Sequence, residues 1–244
     1  MWDNPRQLNL AANLLFAAAA LLLGVAALRL LLESPLFPVR EIVVRGAIKN
    51  AQRADLEHAA KGLGGNFFAL DLRTVRARLE QVPWVRRVDV RRVWPDRIEA
   101  SVEEHVALAR WGDDALVNTF GERFAGKSTD TLPVLAGPAG SEALVAERYR
   151  RFSAQLAPLG ESPERVVLTP RHAWQVKLAS GLTLELGRDG AETVDQRLGR
   201  FVEVFPDTLG RLARRDAASF PPHFPHADLR YPNGFALRVA GWKG

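Results

Sequence analysis

No cysteine occurs among the 244 residues, which excludes disulfides, iron–sulfur clusters and cysteine-based zinc sites together. Common catalytic signatures are also scarce. There is no Gly-x-Ser-x-Gly elbow and no dinucleotide fingerprint, and a phosphate-binding loop is not expected; GLGG at 62–65 follows a helical pattern, so it reads as a helix stop. His223 and His226 stand in a proline-rich stretch with no third ligand at a suitable spacing. The adjacent acids Glu103-Glu104 and Asp113-Asp114 would point to opposite faces of a strand and form no acid/base dyad. No catalytic residue, metal or cofactor is expected. Nor is there an excess of one charge along the chain. The 33 basic residues are interleaved with 28 acidic ones, so the net +5 describes a solvated surface rather than a stripe for nucleic acid.

What is present begins with a long apolar run. Residues 8–32, LNLAANLLFAAAALLLGVAALRLLL, carry no ionisable side chain between Arg6 and Arg29. At roughly 1.5 Å per residue this helix covers about 30 Å, the thickness of a bilayer's hydrocarbon core. Only Asn9 and Asn13 interrupt it, without a polar face at helical spacing, which disfavours a buried soluble helix. A cleavable signal peptide is the competing reading, because Arg6, an Ala/Leu core and small residues around Ala26 and Ala27 fit part of that pattern. The continuation through Leu28, Leu30, Leu31 and Leu32 favours an uncleaved anchor. Asp3 and Arg6 precede the run while Arg29, Arg40 and Arg45 follow its core, so charge alone does not orient it.

The remaining stretch is long enough for two domains with cores of their own, and 47% hydrophobic with 25% charged residues marks a globular chain. FPVREIVVRG from Phe37 reads as a strand, with Ile42 and Val44 on one face and Gly46 ending it. A helix follows, with Asn50 as its N-cap and Leu56, Ala59, Ala60 and Leu63 at three- and four-residue steps. Asp71 caps a second helix with Leu72, Val75, Leu79 and Val82 on one face, and Pro83 ends it. PWVRRVDVRRVWPDRIEASVEEH then reads as a hairpin turning at Trp94, Pro95 and Asp96, with imperfect alternation at Val85 and Val93. Arg86, Arg87, Arg91 and Arg92 are expected to pair across it with Glu99 and Glu103. The order strand, helix, helix, strand, strand buries two amphipathic helices on one face of a three-stranded sheet.

In this arrangement beside one anchor, FPVREIVVRG, NFFALD, PWVRRVDVRRVWPDRI and the following ARW resemble a POTRA domain of the FtsQ (DivIB) cell-division family. The similarity continues through LPVLAGP, AWQVKL, LELGR, RLGRFVEVFP and DLRYPNGFAL. The resulting expectation is an α+β chain: a short cytoplasmic tail (1–7), a transmembrane helix (8–32), a POTRA domain (37–104) and a distal mixed β-domain with flanking helices (105–244). The resemblance implies a non-enzymatic inner-membrane scaffold of the division septum. Its C-terminal domains would lie in the periplasm and bind FtsB and FtsL, linking early division proteins to septal peptidoglycan synthesis.

Within the distal region, Trp174, Val176 and Leu178 alternate in pattern with Leu182, Leu184 and Leu186 across a turn at 179–181. Val145, Tyr149, Phe152 and Leu156 form one helical stripe; Val194, Leu198, Phe201, Val202 and Phe205 form another, stopped by Pro206. Asp228–Tyr231 and Phe235–Val239 read as two last strands joined around Asn233-Gly234, and a final strand at an edge offers open N–H and C=O groups to a partner. The resemblance implies partner binding at Arg171, Arg230, Tyr231, Asn233, Gly234, Phe235, Ala236 and Leu237. Tyr231 would be an aromatic anchor there, and Arg171 and Arg230 would pair with partner carboxylates. It also implies recruitment positions at Arg87, Val90 and Arg92. The rival readings are a POTRA-bearing translocation component, which would favour repeated POTRA units or a barrel, and an anchored periplasmic enzyme, which would need a convergent polar constellation.

Overall fold

The computed structural model describes residues 5–34, 37–206, 226–232 and 234–238, so His223, Asn233 and Val239 lie outside the described residues. The chain divides into two compact units, 1–104 and 105–244. In the first, α1 (Pro5–Glu33) is apolar all round, and its span Leu8–Leu31 is long and apolar enough to cross a membrane, its most apolar stretch lying outside the protein interior.

After α1 come β1 (Glu41–Arg45), α2 (Arg53–Ala60), α3 (Leu72–Leu79), β2 (Val85–Val93) and β3 (Arg97–Glu104). The sheet order is β1-β3-β2, with β1 parallel and β2 antiparallel to the central β3. Leu56 from α2 and Val75 and Leu79 from α3 are buried with Val88, Ile98, Ala100 and Val102 from the sheet. Asp71 does cap α3, its carboxylate accepting the Arg73 amide at 3.0 Å. The cap of α2 differs from the expectation: Gln52 holds that position and makes no side-chain cap bond. Asn50 is drawn elsewhere, because the Glu104 carboxylate accepts hydrogen bonds from the main-chain amides of Lys49, Asn50 and Ala51. The uneven alternation at Val85 is a bulge between Val85 and Arg87. Gly46 ends β1 for a steric reason, since a Cβ there would sit 2.3 Å from the Val102 carbonyl oxygen at a φ of +140°.

The second unit carries a nine-stranded sheet. Its strands are β4 (Ala107–Trp111), β5 (Ala115–Asn118), β6 (Arg123–Phe124), β7 (Val134–Ala136), β8 (Pro163–Leu168), β9 (Trp174–Leu178), β10 (Thr183–Gly187), β11 (His226–Asp228) and β12 (Ala236–Arg238). They lie in the order β12-β11-β10-β9-β8-β7-β4-β5-β6. Helix α4 (Glu142–Leu156) connects the parallel neighbours β7 and β8, and α5 (Val194–Val204) lies between the parallel neighbours β10 and β11 in sequence. The alternation of β9 and β10 sends Trp174, Val176, Leu178, Leu184 and Leu186 into the core beneath Phe152, Leu156, Leu198 and Phe201. The opposite face keeps polar residues such as Gln175, Lys177 and Glu185 half-exposed, as expected of an antiparallel region covered on one side. Thr193 and Gln196 form a reciprocal capping box at the start of α5.

Candidate partner-binding site

β12 is the outer strand of the described sheet at the β11 side. Which of its main-chain groups are open follows from the ladder. The Leu229 amide donates to the Glu185 carbonyl of β10. Main-chain direction alternates along a strand, so the groups of Ala227 also face β10, while those of His226 and Asp228 face β12. Their register partners are Arg238 and Ala236. The N–H and C=O of Leu237 are therefore turned outward. Ala236 is exposed, and the side chains of Phe235 and Leu237 pack partly against the core.

The connection between the last two strands is longer than the tight Asn233-Gly234 hairpin expected. β11 stops at Asp228 and β12 starts at Ala236, leaving Arg230 and Tyr231 in the connection. The cause is local. Asp228 accepts from the Arg230 amide at 3.0 Å and receives its guanidinium through two contacts of 2.8 and 2.6 Å, which turns the chain away from the ladder. Those side-chain hydrogen bonds hold the Asp228 carboxyl below its usual range and raise the Arg230 guanidinium above its own. Arg230 is thus already paired within the chain, which qualifies the expectation that it serves partner carboxylates. Arg171 lies at the same end of the sheet in the β8–β9 turn, exposed and without an ion pair among the described residues.

Tyr231 is 55% exposed. Its main-chain carbonyl accepts from the Arg200 guanidinium of α5 at 3.1 Å, and Arg200 is itself ion-paired with Glu192. Arg197 of α5 donates to the carbonyls of Leu186, Arg188 and Glu192, so the helix also fixes the segment after β10. A cavity of about 370 Å³ lined by Gly187, Arg188, Asp189, Gly190, Arg197 and Arg230 opens there. Gly187 allows this close approach: its φ is +72°, and a Cβ would meet Arg230 Cγ at 2.9 Å. Sequence reasoning missed Arg197, Arg200 and Gly187. The readable signal was the Thr193-x-x-Gln196 box, which places α5 and hence the two arginines on successive turns.

The three recruitment positions share edge strand β2 but not one face. Arg87 stands opposite Glu103 on the side away from the helices, whereas Val90 and Arg92 stand opposite Ala100 and Ile98 on the helix side. Arg92 donates to the carbonyls of Phe67, Phe68 and Leu70 at 2.8, 3.3 and 2.7 Å. The expected cross-strand pairs are present for Arg86 with Glu103 at 2.7 Å and Arg91 with Glu99 at 2.8 Å. Another stretch corrects the reading of absent phosphate loops. Gly121–Ser128 matches the Gly-x4-Gly-Lys-Ser spacing by letter. It contains the short strand β6 and is followed by loop rather than helix, so the helix N-terminus that such a loop needs is missing.

A family model described as the C-terminal region of cell division protein FtsQ/DivIB matches residues 109–230, and one for the FtsQ-type POTRA domain matches residues 37–105. Cell division protein FtsQ of Burkholderia pseudomallei is 42% identical, covering 100% of this chain and 96% of its own length. The chain belongs to the FtsQ/DivIB family. FtsQ of Nitrosospira multiformis is 38% identical over 98% of this chain and 99% of its own, and FtsQ of Escherichia coli 32% identical over 84% and 73% respectively. The β1-α2-α3-β2-β3 order is that of the FtsQ-type POTRA domain, and β12 edges the sheet to which the residues matched by the FtsQ/DivIB C-terminal model belong, six residues beyond the last of them. Family membership assigns the chain to bacterial cell division, and its N-terminal apolar helix, the single one of that kind among the described residues, fits a bitopic inner-membrane protein.

Proposed function

We propose that the chain acts by binding alone, as a non-enzymatic scaffold in which a segment of FtsB adds a strand to β12 and FtsL joins the same assembly. The observation that carries this reading is a strand edge at Leu237, open among the described residues, beside the exposed ring of Tyr231. Main-chain pairing supplies affinity and tolerates sequence, so Tyr231 and Arg171 provide selectivity. The assembly links early division proteins to septal peptidoglycan synthesis. A photocrosslinking residue at the exposed Ala236 is expected to capture FtsB in growing cells. Capture of outer-membrane assembly factors in place of FtsB would overturn the proposal.

In the proposed topology, residues 1–7 are cytoplasmic, 8–32 span the inner membrane, and the POTRA domain (37–104) and distal domain (105–244) are periplasmic at the septum. A reporter active only in the cytoplasm, fused after Gly244, is expected to stay silent; strong activity there would reverse the orientation.

Recruitment to the septum is assigned to β2 through Arg87, Val90 and Arg92. Arg92→Glu would set an anion against three carbonyl oxygens, so it is expected to cost about 2 kcal/mol of stability, read by thermal denaturation. The cleaner test of recruitment is Arg87→Glu, since that side chain is exposed on the open face. It should reduce septal localisation at an unchanged melting temperature; normal localisation would remove Arg87 from the surface.

A further inference from the structure

At the end of the first unit where α1 arrives, the fold leaves two large apolar side chains in water. Trp94, in the β2–β3 turn, is 74% exposed, and Phe68 is 43% exposed. Neither position is accidental, because a continuous set of contacts ties both to the end of α1. The Asn66 side-chain amide donates to the carbonyls of Leu31 and Ser34, each at 2.9 Å. The Phe67 amide donates to Phe37 at 2.7 Å, and the Phe37 and Phe68 rings meet edge to face at 5.4 Å. Arg92, two residues before Trp94, grips the Phe67–Leu70 carbonyls, and the Arg40 amide bonds the Asp96 carbonyl on the other side of the turn. Trp94 and Phe68 are thus held at the level where the apolar run of α1 ends.

We propose that this end of the POTRA unit is a membrane-resting surface, with Trp94 and Phe68 seated among the phospholipid headgroups of the bilayer that α1 crosses. The proposal rests on reading α1 as a membrane span. Indole suits this layer because its ring is apolar and its N–H polar, and aromatic side chains gather at such interfaces. The nearby charges identify the kind of surface. Arg40 stands 3.6 Å from Asp96 and Arg97 3.4 Å from Glu41, so these two are matched by acids, whereas Arg92 and Lys61 are exposed cations without an acid partner among the described residues. Attachment therefore rests on aromatic burial, with Arg92 and Lys61 adding attraction to lipid phosphates.

The absence of native cysteine permits a direct test. The full chain is placed in phosphatidylethanolamine–phosphatidylglycerol nanodiscs with one bimane-labelled cysteine at a time: Ala69→Cys beside Phe68, Lys49→Cys at the opposite end of β1, or Leu22→Cys in α1. Iodide quenching at position 69 is expected to be at least about threefold weaker than at position 49. Adding Trp94→Ser to Ala69→Cys is expected to bring quenching towards that at position 49. Equal quenching at 69 and 49 while position 22 stays shielded would overturn the resting surface and leave the span intact. Shielding at 69 that survives Trp94→Ser would also overturn it, as protein packing would then be the cause. Open quenching at position 22 would remove the membrane span and this proposal with it.

Discussion

Replacing Tyr231 with alanine is expected to weaken binding of an FtsB segment by about thirtyfold, roughly 2 kcal/mol, without lowering the melting temperature. The two parts of this expectation have different physical sources. Because the ring is 55% exposed and lies in the connection after β11, its loss leaves no cavity in the described core. Because Arg200 fixes the main-chain carbonyl of the same residue, the ring is presented from a restrained backbone, and less freedom is lost when a partner covers it. Tyr231→Phe should retain most of the affinity if the ring acts as an apolar anchor. Titration calorimetry with the FtsB segment, paired with thermal melts of each variant, measures both quantities. A lowered melting temperature with unchanged affinity would return Tyr231 to a purely structural role.

A larger loss, about a hundredfold or more, is expected for Leu237→Pro, which removes the outward N–H that an added strand needs. Proline at the neighbouring Ala236 is a different experiment. Ala236 faces Asp228 in the native ladder, so that change would detach β12 from β11 instead of blocking the partner. The Leu237 side chain packs partly against the core, and Leu237→Ala therefore measures the lost packing while keeping the donor. Leu237→Ala should bind within a few-fold of the parent, and Leu237→Pro should not. If the Tyr231→Ala and Leu237→Pro proteins both bound FtsB normally, the β12 edge would be ruled out as its site.

Features set by neighbours in sequence were the legible ones. Asp71 lies beside the helix it caps, Trp94–Asp96 separates two alternating segments, and the uneven step at Val85 is a bulge visible as a fault in the pattern. Features set by distant partners were not. The α2 cap moved from Asn50 to Gln52 because a carboxylate more than fifty residues away takes the amides before it. The parallel pairs β4–β7, β7–β8 and β10–β11 join segments separated by other strands, by helices or by loops, and such pairing leaves no local period. At the candidate site, the exposed edge and Tyr231 could be anticipated, but the grip of Arg200 on Tyr231 spans 31 positions and has no local mark. The Asp228–Arg230 pair is the intermediate case: Asp-x-Arg at the end of a strand is a readable turn, and it shortened β11 and shifted the start of β12.

The parallel pairing of β1 with β3 has a mechanical consequence. The chain enters the three-stranded sheet from α1 at the start of β1 and leaves it at Glu104, the last residue of β3. Tension between those two points pulls the adjacent strands in opposite directions along their common axis. The ladder from Glu41 opposite Arg97 to Arg45 opposite Ser101 is then loaded in shear, all its bonds together, whereas strands drawn apart from one end would open bond by bond. At the exit point, the Glu104 carboxylate holds the main-chain amides of Lys49, Asn50 and Ala51, which ties the loop after β1 to the end of β3. Resistance to forced unfolding is governed by the barrier along the direction of pull, and here that pull loads the β1–β3 ladder in shear. Tension between Glu104 and α1 is therefore borne by the whole β1–β3 ladder at once.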